Sequence, residues 1–311
     1  MNKILITGGA GYIGSKLSTK LVELGYEVTV LDILKFSSKS INHLFSKDNF
    51  KFIKGDVRNK KLINKLLKKN QFIIPLAALV GAPLCEKNKK EAISVNLNSI
   101  KYLTNSIKKK NKIIYLTTNS GYGVGEKNKY CDENSILKPI SLYGRTKVQA
   151  EESVMRCTNA VAFRLATVFG YSYRMRTDLL VNNFVYKSYI EKKLTIYEPH
   201  FRRNYIHIDD VVNGIIFTIK NFNKLKSNIY NLGLSSANLT KHMLAKKIKR
   251  KIKNLKITIV KNKKDPDQRD YYVSNRKIEK RGFKAKIKIE DGIDELIKIF
   301  SHSKEKIINN Y

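Results

Sequence analysis

The stretch KILITGGAGYIG, residues 3–14, decides the fold. Lys3–Thr7 reads as a short apolar strand, and a helical pattern starts at Tyr12. Between and just after them stand Gly8, Gly11 and Gly14. That spacing carries little weight alone. A strand before it, a helix after it and a second strand, Glu27–Leu31, ending at Asp32 supply the required context. Gly8 is expected to allow the tight turn, Gly11 to admit a pyrophosphate to the backbone, and Gly14 to let the helix pack close to the sheet. The first helical N–H groups, at Tyr12, Ile13 and Gly14, then meet the phosphates with the positive end of the helix dipole.

Asp32 sorts the dinucleotide. A carboxylate at the end of the second strand accepts hydrogen bonds from the adenosine ribose and repels a 2′-phosphate. Ile33 and Leu34 follow, with no Arg to welcome that phosphate, so the expected cofactor is NAD rather than NADP. Lys35, one residue on, leaves the alternative open.

The formal charge of +35 invites a nucleic-acid reading. The distribution argues against it. Of 61 basic residues only 12 are Arg, and the lysines are scattered among many Asn and Ile. Runs such as Lys108–Lys112 and Lys246–Lys253 fall in helical patterns and read as solvated faces. A basic surface still draws in a small dianion. Cys85, Cys131 and Cys157 show no metal-ligand or disulfide spacing, and the five histidines show none either. No metal is expected. The longest apolar run, 72–85, contains Pro75 and Pro83 and is too short to span a bilayer. The expectation is a soluble, cytoplasmic protein with neither nucleic-acid nor membrane partners.

Strand signals at Lys3–Thr7, Glu27–Leu31, Phe50–Lys54, Phe72–Leu76, Lys112–Thr117 and Ala160–Leu165 alternate with helical patterns at Tyr12–Leu24, Lys60–Lys69, Lys89–Lys109 and Ser141–Met155. That alternation predicts an α/β fold, a doubly wound parallel sheet of the Rossmann type. Residues 1–167 are expected to bind the cofactor, with 204–232 returning to that domain. Residues 168–203 and 233–311 are expected to form a smaller, interleaved substrate lobe. Asn204–Ile219 reads as a return to the sheet followed by a helix, and the tail Ser301–Tyr311 as a frayed end.

Ligands of such sheets sit beyond the carboxyl ends of the strands. Tyr143 and Lys147 lie four apart at the start of a helix that follows the fifth strand, and so share one face. A nearby ammonium favours a phenolate, which can take a proton from an alcohol as hydride leaves for a nicotinamide. The spacing alone is uninformative, because Tyr12/Lys16 and Tyr189/Lys193 repeat it. Position selects the pair: Thr118, a hydroxyl at a strand end, precedes it by 25 residues.

These motifs resemble the extended short-chain dehydrogenases/reductases, in particular the NAD-dependent sugar-nucleotide epimerase/dehydratase family. The likeness runs from TGGAGYIG through GDVR (55–58), YGRTK (143–147) and RRNYIHIDDVV (202–212). It implies Thr118, Tyr143 and Lys147 as catalytic residues. It also implies Asp56 and Val57 at the adenine and Leu76, Ala77 and Ala78 along the cofactor. Where many members carry His before the paired alanines, this chain has Pro75-Leu76. Arg203 and Arg269 match arginines that grip the substrate diphosphate, and Asn182 matches a phosphate-binding Asn. Arg174 and Arg176 are further candidates. A guanidinium suits the task because its planar fork meets two phosphate oxygens at once. Asp209 and Asp210 read as helix N-terminal charges.

Members of the family start by oxidising a sugar carbon, usually C4. Those that dehydrate carry Asp-Glu after the catalytic Thr, and here Asn119 and Ser120 stand there, which argues against dehydration. Longer stretches, TTNSGYGVGEK (117–127), RLATVFG (164–170) and DPDQRDYYVSN (265–275) among them, are similar to bacterial enzymes that oxidise GDP-D-glycero-D-manno-heptose at C4 for capsular heptoses. The alternatives are a UDP- or GDP-sugar 4-epimerase and a non-catalytic NAD-sensing protein. The resemblance also implies a nucleotide-diphosphate sugar as substrate, tightly bound NAD, and a homodimer or larger homo-oligomer built on helices near 89–109 and 141–157.

Overall fold

Residues 2–126, 129–260 and 269–302 are described by a computed structural model. Lys127, positions 265–268 of the last quoted stretch and the tail from 303 onward lie outside the described residues.

Seven strands form the central sheet. In chain order they are Lys3–Thr7, Glu27–Asp32, Phe50–Lys54, Phe72–Pro75, Lys112–Thr118, Ala160–Leu165 and Asn228–Leu232. Across the sheet the order is seven, six, five, four, one, two, three, and every pairing is parallel. Chain order reverses between strands one and four, which opens a crevice at their carboxyl ends. Side chains alternate across the sheet as a period of two requires. Ile4, Ile6, Val28, Val30, Ile74 and Ile114 pack on one face. Leu5, Leu31, Ile73, Ile113 and Tyr115 pack on the other. Both faces are covered, so the inner strands are apolar almost throughout, whereas the edge strand Phe50–Lys54 carries exposed lysines.

The first six strands and the helices Tyr12–Glu23, Lys60–Lys69 and Leu142–Met155 fall where the sequence places them. The helix expected over Lys89–Lys109 is instead broken. It runs as Ala82–Lys87, Lys89–Ile93, one wide π turn at Ser94–Asn98, and Ser99–Ser106. The wide turn carries the buried Asn96. Its amide accepts from Leu79 N–H at 2.8 Å and donates to Leu79 C=O at 2.9 Å. The bulge thereby clamps the loop after strand four, and an unbroken helix would not offer that grip.

The strand Arg202–His207 does not return to the central sheet. It lies between Thr167–Phe169 and Asn238–Thr240 in a separate three-stranded sheet. The return is made by Asn228–Leu232, beside strand six. Helix Ile208–Lys220 does pack on Tyr12–Glu23. Asp209 and Asp210 stand in its first turn, as expected. Asp210 accepts two backbone N–H bonds, from Lys286 and Ile287, and Asp209 pairs with Lys16 at 2.8 Å.

A seam joins the lobe to the first helix. Tyr12 Oη donates to Gly170 C=O at 2.7 Å, and Ser172 Oγ donates to Tyr12 C=O at 2.6 Å and lies 3.0 Å from Ser15 Oγ. The three cysteines are free. Among the described residues no helix is long and apolar enough to cross a membrane.

Candidate active site

One cavity of about 540 Å³ opens at the crevice, lined from the central sheet and from the lobe. Its first wall is the glycine turn. Gly8 N–H bonds Leu31 C=O at 2.8 Å with φ at +73°. A Cβ on Gly8 would stand 2.5 Å from Ala77 N, so no other residue fits there. A Cβ on Gly11 would approach only Gly8 C=O, at 3.1 Å, which leaves its other side open to a ligand. Gly14 does not serve helix-to-sheet packing as expected. Its missing Cβ would lie 2.2 Å from Gly8 C=O and 2.7 Å from Gly9 Cα, so it lets the helix close onto its own turn. No side chain caps that helix at Gly11, and its first N–H groups are left for an anion. Gly11, Tyr12, Ile13 and Gly14 all line the cavity. The Tyr12 ring is turned away into the seam.

Asp32 stands at the carboxyl end of strand two. It accepts Ala10 N–H at 3.0 Å and Leu34 N–H at 2.8 Å. Burial raises its pKa and the backbone donors counter that. Lys35 lies 3.5 Å from Glu91, so the cation that left NADP open has a carboxylate beside it. Asp56 is gripped by Arg58, with Nε 3.0 Å and Nη2 2.6 Å from its carboxylate, and this pair lowers its pKa. Val57, Leu76, Ala77 and Ala78 line the same end. The open cradle at Gly11, the uncapped helix and the Asp32 carboxylate on the same cavity fit a dinucleotide.

Thr118, Tyr143 and Lys147 line the same cavity. Ser141 Oγ accepts Gly144 N–H at 3.1 Å and so starts the helix that aims Tyr143 and Lys147. Lys147 is buried with Nζ 4.1 Å from the centre of the Tyr115 ring, and burial drops its pKa to about 7. Tyr143 departs from expectation. Its pKa is not lowered but pushed up to about 12, first by burial and then by Cys85. The charges of Arg269 and Arg176 and the Thr118 hydroxyl pull it down in part. Lys147 has itself been desolvated, so it is a poor source of fixed positive charge at neutral pH.

Ser120 lines the cavity, whereas Asn119 is buried and does not. Thr118 Oγ1 lies 2.8 Å from Ser120 Oγ, and Arg269 Nη1 donates to that same Ser120 oxygen. Nothing in the sequence pointed to Ser120 except its place two residues after Thr118.

The lobe supplies the arginines. Arg203 faces the cavity and its guanidinium lies 5.8 Å from the centre of the Tyr271 ring. The adjacent Arg202 points the other way and forks onto Asp270 at 2.7 and 2.9 Å, as alternation along a strand dictates. Arg174 covers Phe36 at 4.2 Å, and Arg176 pairs with Asp178. Asn182 falls short of the phosphate role. It is fully buried, accepts Gly170 N–H at 3.0 Å and donates to Arg176 C=O at 2.9 Å. Its neighbour Asn183 lines the cavity instead. Helix phase, one residue out, separates the two.

His207, Asp209 and Glu295 also cluster, outside the cavity. His207 Nδ1 accepts Asp209 N–H at 3.3 Å and its Nε2 lies 2.9 Å from Glu295, so the ring caps a helix.

The profile of the NAD dependent epimerase/dehydratase family matches residues 4–233. The chain belongs to that family. Its cofactor is therefore NAD. A dTDP-D-glucose 4,6-dehydratase of Dictyostelium discoideum is 30% identical over 258 residues, covering 75% of this chain and 58% of the relative. A trifunctional UDP-glucose 4,6-dehydratase/3,5-epimerase/reductase of Arabidopsis thaliana is 27% identical over 97% of this chain and 47% of its own length. The chain thus spans only about half the length of these two relatives. A UDP-glucuronic acid 4-epimerase from Bacillus cereus, solved with UDP-glucuronic acid and NAD, superposes with a TM-score of 0.84 at 23% identity over 96% of this chain and 99% of that one.

Proposed function

We propose that the chain oxidises the C4 hydroxyl of a nucleotide-diphosphate sugar. One observation carries the reading: the dinucleotide cradle and the Thr118, Tyr143, Lys147 set line a single cavity. NAD, when bound, accepts the hydride. Tyr143 takes the hydroxyl proton, and its high pKa makes the phenolate a strong base once formed. Thr118 holds the reacting oxygen. Lys147 lies beside them and carries the charge that changes over the physiological range.

Arg203 and Asn183 are proposed to hold the diphosphate, with Arg174 and Arg176 shaping the loop above it. The substrate lobe is assigned to 168–203 and 233–311, with the helix Ile208–Lys220 and the strand Asn228–Leu232 between them belonging to the cofactor domain. For the sugar we favour GDP-D-glycero-D-manno-heptose, released as the 4-ketone, on the strength of the sequence stretches quoted above. A 4-epimerase shares every step up to the ketone, and a curated Methanocaldococcus jannaschii relative named as a putative UDP-glucose 4-epimerase, 27% identical over 94% of this chain, supports that second reading. A homodimer through the helices over 82–106 and 142–155 is part of the proposal.

NMR of the NAD-loaded protein with GDP-D-glycero-D-manno-heptose, GDP-mannose and UDP-glucose tests this. A 4-keto product from the heptose supports the dehydrogenase, and an inverted C4 alcohol from any of the three makes the protein an epimerase. No conversion of any of the three rejects this choice of substrate.

A further inference from the structure

A hydroxyl pair stands at the end of strand five, in reach of an arginine. Thr118 Oγ1 accepts Ser120 N–H at 3.1 Å and lies 2.8 Å from Ser120 Oγ. Ser120 Oγ in turn accepts from Arg269. An arginine never accepts a hydrogen bond, so at that contact Ser120 must be the acceptor. Its own proton is then available for Thr118. When Ser120 gives that proton to Thr118, both lone pairs of Thr118 Oγ1 are engaged, and Thr118 is left to donate to the Tyr143 oxygen, the contact that lowers the Tyr143 pKa.

We propose that Ser120 is a positioning residue that relays a hydrogen bond from Arg269 to Thr118, fixing Thr118 as a donor toward Tyr143 and the reacting oxygen. The inference rests on Tyr143 being the base. It departs from the sequence expectation for Arg269, which put that guanidinium on the substrate diphosphate. A donor with fixed direction suits both forms of the reaction centre. It stabilises the phenolate before proton transfer and the C4 carbonyl oxygen after hydride has left. Chained donors also polarise one another, so a cation at the far end strengthens the last bond.

Other groups face Tyr143 and must be held constant. Cys85 raises its pKa, Arg176 lowers it, Tyr143 in turn raises that of Tyr115, and Lys147 stands on its own helix. Glu86 accepts the N–H of neighbouring Leu142 at 3.2 Å. Ser120→Ala leaves all of them in place, together with the Arg269 charge.

The test follows tyrosinate absorbance as pH rises in NAD-loaded protein whose tyrosines are replaced by difluorotyrosine, so that ionisation falls where the fold and NAD survive. Each variant is subtracted from its own Tyr143→Phe partner, so that only Tyr143 is read and no substrate is needed. Ser120→Ala should move the Tyr143 midpoint up by about one pH unit, the worth of one charge-assisted hydrogen bond. Arg269→Ala should also move it up, and by less in the Ser120→Ala background than in the parent. An unmoved midpoint in Ser120→Ala overturns the relay. Equal shifts for Arg269→Ala in both backgrounds also overturn it, because the charge would then act through space alone. If Ser120→Ala fails to fold, Ser120→Cys, with its weak donor, replaces it with the same expected sign. Failure of the underlying reading looks different: Tyr143→Phe would retain turnover whatever the titrations show.

Discussion

The two walls of the cavity hold by different means. On the cofactor wall the backbone does the work: Gly8, Gly11 and Gly14 act by lacking a Cβ, and the helix acts through N–H groups that no side chain caps. The lobe wall is built of side chains that already have partners, as in Arg176 with Asp178 and Arg174 over Phe36 from the other wall. A backbone wall tolerates almost no substitution at its contact points and needs no particular residue elsewhere. A side-chain wall can change its ligand by exchanging one pair. That contrast is what one expects where a shared cofactor meets a variable substrate.

The largest expected effect lies between the walls. Tyr143→Phe should reduce hydride transfer, read as NADH formation in a single turnover, by at least about 10³-fold while cofactor affinity stays within about twofold. Retained turnover would remove Tyr143 from the chemistry.

The backbone wall can be split into fold and ligand. Gly8→Ala strains a left-handed residue and drives its Cβ into Ala77, so thermal melting should show a loss of about 2–4 kcal/mol together with loss of NAD binding. The Cβ of Gly11→Val meets only one backbone oxygen, so the melt should hardly change while NAD affinity, by calorimetry, falls about 100-fold or more. If Gly11→Val unfolds the chain, the open space at Gly11 is not a ligand position.

Lys147 sharpens the boundary between stability and function. Its folded pKa of about 7 lies well below the ordinary lysine value of 10.5. Below about pH 7 folding must bury the charge, and that penalty fades as pH rises toward the unfolded value. Melts of Lys147→Met should therefore exceed the parent's at about pH 6, by the equivalent of a few kcal/mol, and the gap should close by about pH 10. A constant gap would mean that the ammonium is not desolvated.

The smallest effects test the lobe helix. Asn182→Ala should cost about 1–3 kcal/mol, because it strips a partner from the buried Gly170 N–H. Asn183→Ala should leave the melt alone and raise KM by about tenfold. The reverse pattern would restore the sequence assignment of Asn182 to the phosphate.

What could be read from the sequence follows the same division. Glycine spacing, apolar strands and Asp32 are local signals with local causes, so six strands and the cradle were visible. Asn182 against Asn183 depends on helix phase, which a loop of unknown path leaves open. The π turn at Ser94–Asn98 is imposed by Asn96 reaching a backbone group 17 residues away, a tertiary demand invisible to periodicity. The Tyr143 pKa failed for a related reason. A sequence shows that a lysine is near but not that both groups are dry. Ser120 has no signature at all, since its role exists only once Arg269, 149 residues later, is folded against it.

The seam between Tyr12, Ser15, Gly170 and Ser172 bears on how such proteins can be recombined. Its partners are 157, 158 and 160 residues apart in sequence, so grafting a lobe from a relative would separate them. A foreign loop without a serine at 172 would leave Ser15 without that partner and Tyr12 C=O without its hydroxyl donor. The heritable module is therefore the lobe together with one face of the first helix, and a chimera that respects the apparent domain border would cut through it.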